Sequence, residues 1–109
     1  MGTVIWEESD LCVVNDSHMV GLAQAAAQDI MGSQDCVVAF RTTSSEDFSE
    51  FTARIPGVFC HIGTGNSQLG TCYPLHSGKF NLDESVLKDA AALMVTIVKN
   101  WFEENEKIH

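Results

Sequence analysis

The residue with the most chemistry to offer is a histidine in an irregular stretch. In GTCYPLHSGKFNLDESV, Gly70 to Val86, His76 follows Cys72 by four positions and stands just before a helix start, with Pro74 stiffening its approach. An imidazole held on a loop at a sheet edge can aim a ring nitrogen into a cleft and ligate a metal. Joined by Cys72, Cys60 and His61 it could instead build a small structural zinc site. A lone loop histidine is also commonly a solvated surface residue. The zinc arrangement is the weaker of the first two. No CxxC pair occurs, the Cys-x3-His spacing fits loosely, and Cys60 and His61, as neighbours in a strand, should point to opposite faces. Of the other histidines, His18 reads as a helix-start surface residue, His61 as a strand residue and His109 as tail.

The elements that must position these groups follow from patterning. Residues 4–14, VIWEESDLCVV, read as one extended strand or two short ones around Glu7 to Asp10. Ser17 can cap a helix over 18–32, in which Val20, Ala23, Ala27, Ile30 and Met31 share a face and Gly32 is the stop. DCVVAFRT, 35–42, has the continuous apolar run of a central strand covered on both faces. Ser45, with Glu46 and Asp47 in the first turn, starts a short helix through Ala53, since the helix dipole favours acids there. Pro56-Gly57 ends it, and VFCHIG, 58–63, is another strand. Thr64 to Phe80 is a long loop. From Asp83 or Ser85 a final helix carries Val86, Leu87, Ala90, Ala91, Met94, Ile97, Val98 and Trp101 as one apolar stripe, before the solvated tail EENEKIH. The alternation predicts an α/β domain: a small layered sheet of about three to four strands with helices packed on it. So thin a sheet needs neighbours, from a longer polypeptide or a second copy.

Composition narrows the classes. The 109 residues, 45% of them apolar, suffice for one domain. Fifteen acidic residues against six basic give a net charge of −9, which opposes nucleic-acid and anionic-membrane binding. The longest apolar runs, such as 91–98, fall well short of the roughly 20 residues of a bilayer span. MGTVIWEESD lacks the basic start of a signal peptide, so a cytoplasmic setting is expected. Cys12, Cys36, Cys60 and Cys72 are expected to be reduced core thiols.

SSEDFSEFTARIPGVFCHIGTGN, followed by GTCYPLHSGKFNLDESVLKDAAALM, resembles the C-terminal part of the metal-dependent amidohydrolases that include aminoacylases, hippurate hydrolases and auxin-conjugate hydrolases. The resemblance runs from Val13 to Phe102. It implies the C-terminal half of a split metallopeptidase catalytic domain over 15–109, and the last strand of a lid-like domain over 1–14. It implies a two-metal centre, zinc or manganese, that hydrolyses N-acyl amino acids with metal-activated water. His76 matches the family's last metal-binding histidine. The SSEDF turn matches a position near the substrate, where Ser44, Ser45 and Glu46 would line the approach of its carboxylate, although Glu46 and Asp47 also fit an ordinary capping role. The chain departs from the family pattern at Thr43-Ser44, where Met-Gly is usual, and at Gly78, where proline is usual. It has no His-x-Asp or Glu-Glu signature for the other ligands and the catalytic glutamate; Glu7-Glu8 falls in the wrong order. No catalytic residue is therefore expected here, and the chain alone should be inactive. Its expected partners are a complementing N-terminal half or further copies of itself. The alternative is a non-catalytic, self-associating domain derived from such an enzyme.

Overall fold

The computed structural model describes residues 2–5 and 11–106. Among the described residues three α-helices form: α1, Ser17–Met31; α2, Ser49–Thr52; and α3, Leu87–Glu106. Short 3-10 turns lie at Gln34–Cys36 and Glu84–Val86. Asp16, rather than Ser17, caps α1. Its carboxylate accepts from the Met19 N–H at 3.0 Å. Both residue types are good caps, and Asp16 prevails because its own N–H is held by the Gly57 carbonyl at 2.9 Å, which fixes it outside the helix. Gly32 ends α1 as expected, at φ 69°, with its N–H on the Gln28 carbonyl at 2.8 Å.

The last helix begins where the sequence indicates. Asp83 accepts from the Ser85 N–H, a 3-10 turn follows, and α3 then runs to Glu106, so part of the supposed tail is helical. Helices α1 and α3 pack antiparallel, with His18 Nε2 at the start of one 3.2 Å from the Glu104 carboxylate near the end of the other. Both side chains are exposed, so that pair contributes at most about 1 kcal/mol. Burial does more: Ala23, Ala26 and Ile97 form the core, with Met19, Val58 and Leu93 packed against it. The two alanines let the helices approach closely. The expected stripe on α3 splits: Ile97 is buried and Ala90 half-buried, but Leu87, Met94, Val98 and Trp101 remain exposed. A helix apolar on two faces is suited to cover on both.

The layered sheet is not formed. Among the described residues there is no strand, and the architecture is helical with extended connections. The runs at 37–42 and 58–63 are irregular and adjacent, Phe40 and His61 packing tilted with 4.5 Å between ring centroids. No backbone hydrogen bond joins them. Their rings meet and their ladder edges do not, so apolar patterning, which reports a need for cover, misled as a report of pairing. Residues 35–42 are exposed, Val38 at 79%, where a covered central strand was expected. Of the proposed strand at 4–14, residues 6–10, including Glu7 and Glu8, lie outside the described set; the described remainder is unpaired. The nearest substitute for a ladder is the Asn15 side chain. It accepts from the Phe59 N–H at 2.8 Å and donates to the Phe59 carbonyl at 3.2 Å.

The result is a flat, open molecule, 63 × 44 × 20 Å, with a radius of gyration of 17.5 Å, against about 13 Å for a closed chain of this length. Its accessible surface is 9144 Å², where a closed monomer of this mass would show about 5,900 Å². The four cysteines are free and exposed rather than in a core.

Candidate functional site

His76 sits at the third position of a tight turn, Pro74 to Ser77, closed by the Ser77 N–H donating to the Pro74 carbonyl at 3.2 Å. Its φ of 65° makes it the one non-glycine residue with positive φ among those described. That is the requirement of a type II turn at a place normally given to glycine or asparagine, and histidine accepts it at some cost. The imidazole is exposed and has no hydrogen-bond partner among the described residues. A second turn follows, in which the Phe80 N–H donates to the Ser77 carbonyl and the Lys79 N–H to Ser77 Oγ. Lys79 Nζ reaches back over the Tyr73 ring at 5.7 Å, clipping together the two sides of the His76 turn.

The base of this loop is held by a cluster of hydrogen bonds. Thr71, 4% exposed, donates through Oγ1 to the Thr64 carbonyl at 3.2 Å and accepts from the Asn66 N–H at 2.8 Å. Asn66 Nδ2 donates to Asp83 Oδ2 at 2.8 Å, and the Asp83 N–H donates to the Thr64 carbonyl at 3.0 Å. Asp83 Oδ1 accepts from the Ser85 N–H. The side-chain bond from Asn66, then the bonds from Ser85, hold the Asp83 carboxyl below its ordinary value of 3.8. Hydrophobic periodicity carries no sign of this clasp. The signal available was Asn66 and Asp83 as turn-forming residues at the two ends of one glycine-containing loop.

Around the second candidate, Ser44 Oγ lies 2.9 Å from Thr42 Oγ1, which also accepts the Ser44 N–H. Glu46 Oε1 accepts from the Phe48 N–H at 3.3 Å, and the Glu46 carbonyl accepts from the Ser49 N–H, so Glu46 sustains the turn that leads into α2. Helix α2 starts at Ser49, later than Ser45 would start it, and its cap position, Phe48, makes no side-chain bond. Phe48 packs on Phe51 and Phe59, Phe59 on His61, and His61 on Phe40, a run of five rings that assigns His61 to aromatic packing.

Between α1, α3 and the extended segments lies an open, mainly apolar groove of about 690 Å³, lined by Ala23, Leu93, Val38, Phe40, Cys60 and His61 among others. Neither His76 nor the Ser44–Glu46 turn lines it, and no hydrogen bond joins those two turns. Though exposed, Cys60 borders the groove, and the desolvation it meets there pushes its thiol above its usual range. No group of three or more His, Cys, Asp or Glu able to hold a metal exists among the described residues, so the four-residue zinc arrangement is not formed. His76 itself offers one imidazole on a constrained turn, without a hydrogen-bond partner among the described residues. That suits one corner of a coordination shell.

Residues 3–100 match the sequence profile described as peptidase family M20/M25/M40. A stretch of 44 residues, 40% of the chain, is 50% identical to thermostable carboxypeptidase 2 of Saccharolobus solfataricus, of which it covers 11%. Over 76 residues, 70% of the chain, it is 29% identical to the IAA-amino acid hydrolase ILR1-like 6 of Arabidopsis thaliana, covering 16% of that protein. Over 87 residues, 80% of the chain, it is 26% identical to a putative glutamate–cysteine ligase 2-3 of Rhodococcus jostii, again covering 11%. The relatives' names thus print more than one reaction, while the family profile takes in most of the chain. The chain spans between a tenth and a fifth of the length of these relatives. No solved structure matches it significantly. Among the described residues no helix is long and apolar enough to cross a membrane.

Proposed function

The chain belongs to peptidase family M20/M25/M40, and from that premise we propose that it is the part of a metal-dependent amide hydrolase that supplies one ligand, His76, to a centre completed by other parts of the protein. The observation that carries this reading is the His76 turn. A histidine is kept in left-handed backbone geometry, with an unengaged ring, on a loop fastened at its base. Strain of that kind persists where surrounding structure over-determines it, and it concentrates at functional sites. A divalent zinc or manganese ion, when bound, would polarise the amide carbonyl and lower the pKa of its water. The chain's own residues do the rest. His76 donates a ring nitrogen, Pro74 and the Tyr73–Lys79 clip limit where that nitrogen can point, and the Ser44–Glu46 turn forms a wall of the substrate approach. In that wall Ser44 and Ser45 would meet an N-acyl amino acid's carboxylate; Ser44 is steadied by Thr42, and Glu46 holds the turn through Phe48. Residues 15–109 belong to the catalytic unit and 1–14 to the lid-like one. Alone, with one ligand and no catalytic carboxylate, the chain does not turn over.

The test is a transplant. The chain replaces its matching segment in the Saccharolobus carboxypeptidase, and turnover and metal content are measured. Hydrolysis is expected to survive and to be abolished, with loss of bound metal, by His76→Ala; a His76→Ala chimera with full turnover ends the proposal. A second reading, self-association without catalysis, draws on the excess of exposed surface. Sedimentation distinguishes it: a stable dimer of the isolated chain with a chimera that fails to hydrolyse would favour association.

A further inference from the structure

We infer that Asn66 and Asp83 are positioning residues for His76, their side-chain bond across the base of the loop fixing the direction in which the histidine turn faces. The inference rests on the reading of His76 as a ligand and adds what aims it. Every polar group of Asn66 is engaged. Its N–H goes to Thr71 Oγ1, its carbonyl accepts from the Leu69 and Thr71 N–H groups, its Oδ1 accepts from the Gln68 N–H, and its Nδ2 donates to Asp83 Oδ2. Asp83 is equally committed: its N–H to the Thr64 carbonyl, its carbonyl from the Val86 N–H, and one carboxylate oxygen each to Ser85 and Asn66. Oδ1 therefore starts the 3-10 turn that leads into α3 while Oδ2 holds the loop, so a single carboxylate makes loop and helix one body. Helix α3 is in turn seated on α1 through Ile97, Ala23 and Ala26. The aim of His76 is thus referred back to the only packed core among the described residues. The positive φ at His76 needs such a frame, because a turn with an ordinary side chain in that geometry relaxes when its surroundings slacken.

The experiment uses the full 109-residue chain, isotope-labelled, with three variants: Asn66→Ala, Asp83→Asn, and the reciprocal Asn66→Asp/Asp83→Asn. The reciprocal pair restores the bond with its polarity reversed and leaves an oxygen to cap Ser85. In Asn66→Ala, amide exchange at Thr71 and Asp83 is expected to quicken about tenfold, as loss of one such bond permits, and the His76 ring resonances are expected to shift and broaden while helical circular dichroism holds. The reciprocal variant should return the ring resonances to the original position. Unmoved His76 resonances in Asn66→Ala, or a reciprocal variant no better than either single one, would overturn the inference. In the carboxypeptidase chimera, Asn66→Ala should lower metal content and kcat about tenfold with KM little changed, the usual scale for a group that orients a ligand. Intact metal content there also overturns it. A catalytically intact His76→Ala chimera alongside a clasp that still moves the ring identifies the ligand reading as the part that failed.

Discussion

Between Thr64 and Asp83 the sequence is glycines, a proline and scattered polar residues without periodicity, and the fold makes of it a loop whose base is saturated with hydrogen bonds. The segments at 37–42 and 58–63 are the reverse: strongly patterned, apolar, and among the described residues bonded only locally, at Val37 and Thr42, apart from the Asn15 side chain at Phe59. The difference lies in where each segment's partners are. The loop's needs are met within 20 residues by asparagine, threonine and aspartate side chains, so a short chain can satisfy them. Extended apolar backbone needs surface from distant sequence, and the chain presents Val38, Phe40 and Ile62 to solvent.

Four perturbations would sharpen or break that contrast. Ile97→Ala, in the apolar cluster that distant elements bury among the described residues, should cost about 2–4 kcal/mol by chemical denaturation; a cost near zero would mean that the helix pair is not the core. Asn15→Ala strips both bonds from Phe59 and should cost about 1–2 kcal/mol, given that a hydrogen bond contributes about 0.5–1.5 kcal/mol, with faster exchange at the Phe59 amide as its local sign. Acid should open the loop before the helices. The Asp83 carboxyl titrates below 3.8 in the fold, so the clasp's contribution is fully present above that value and is lost as pH falls through the lower folded one. Exchange at Asp83 and Thr71 should therefore rise below about pH 4, and a clasp indifferent to acid would contradict the Asn66–Asp83 bond. The smallest effect belongs to Val38→Ser. With its side chain already in water, stability should move by less than about 0.5 kcal/mol, while binding of a hydrophobic dye should fall; a large loss would reveal hidden packing.

The same contrast explains what was legible beforehand. Helices α1 and α3 show in the sequence because their signals are local: a cap, a 3.6-residue stripe, Gly32 as a stop. Even there the cap moved from Ser17 to Asp16, since the choice turned on the Gly57 carbonyl, some 40 residues away. The sheet was wrongly expected because the residues at 35–42 and 58–63 state a hydrophobicity and leave the neighbour unstated. Family membership was legible from the order of short motifs, which survives without any knowledge of pairing. The clasp beneath His76 was not, since two polar residues 17 positions apart announce no bond.

The 20 Å thickness of the molecule has a consequence in the cell. That depth is about two helix diameters, so almost no residue lies beneath another layer. A polypeptide left in this condition displays the greasy surface that chaperones bind and the accessible backbone that proteases cut.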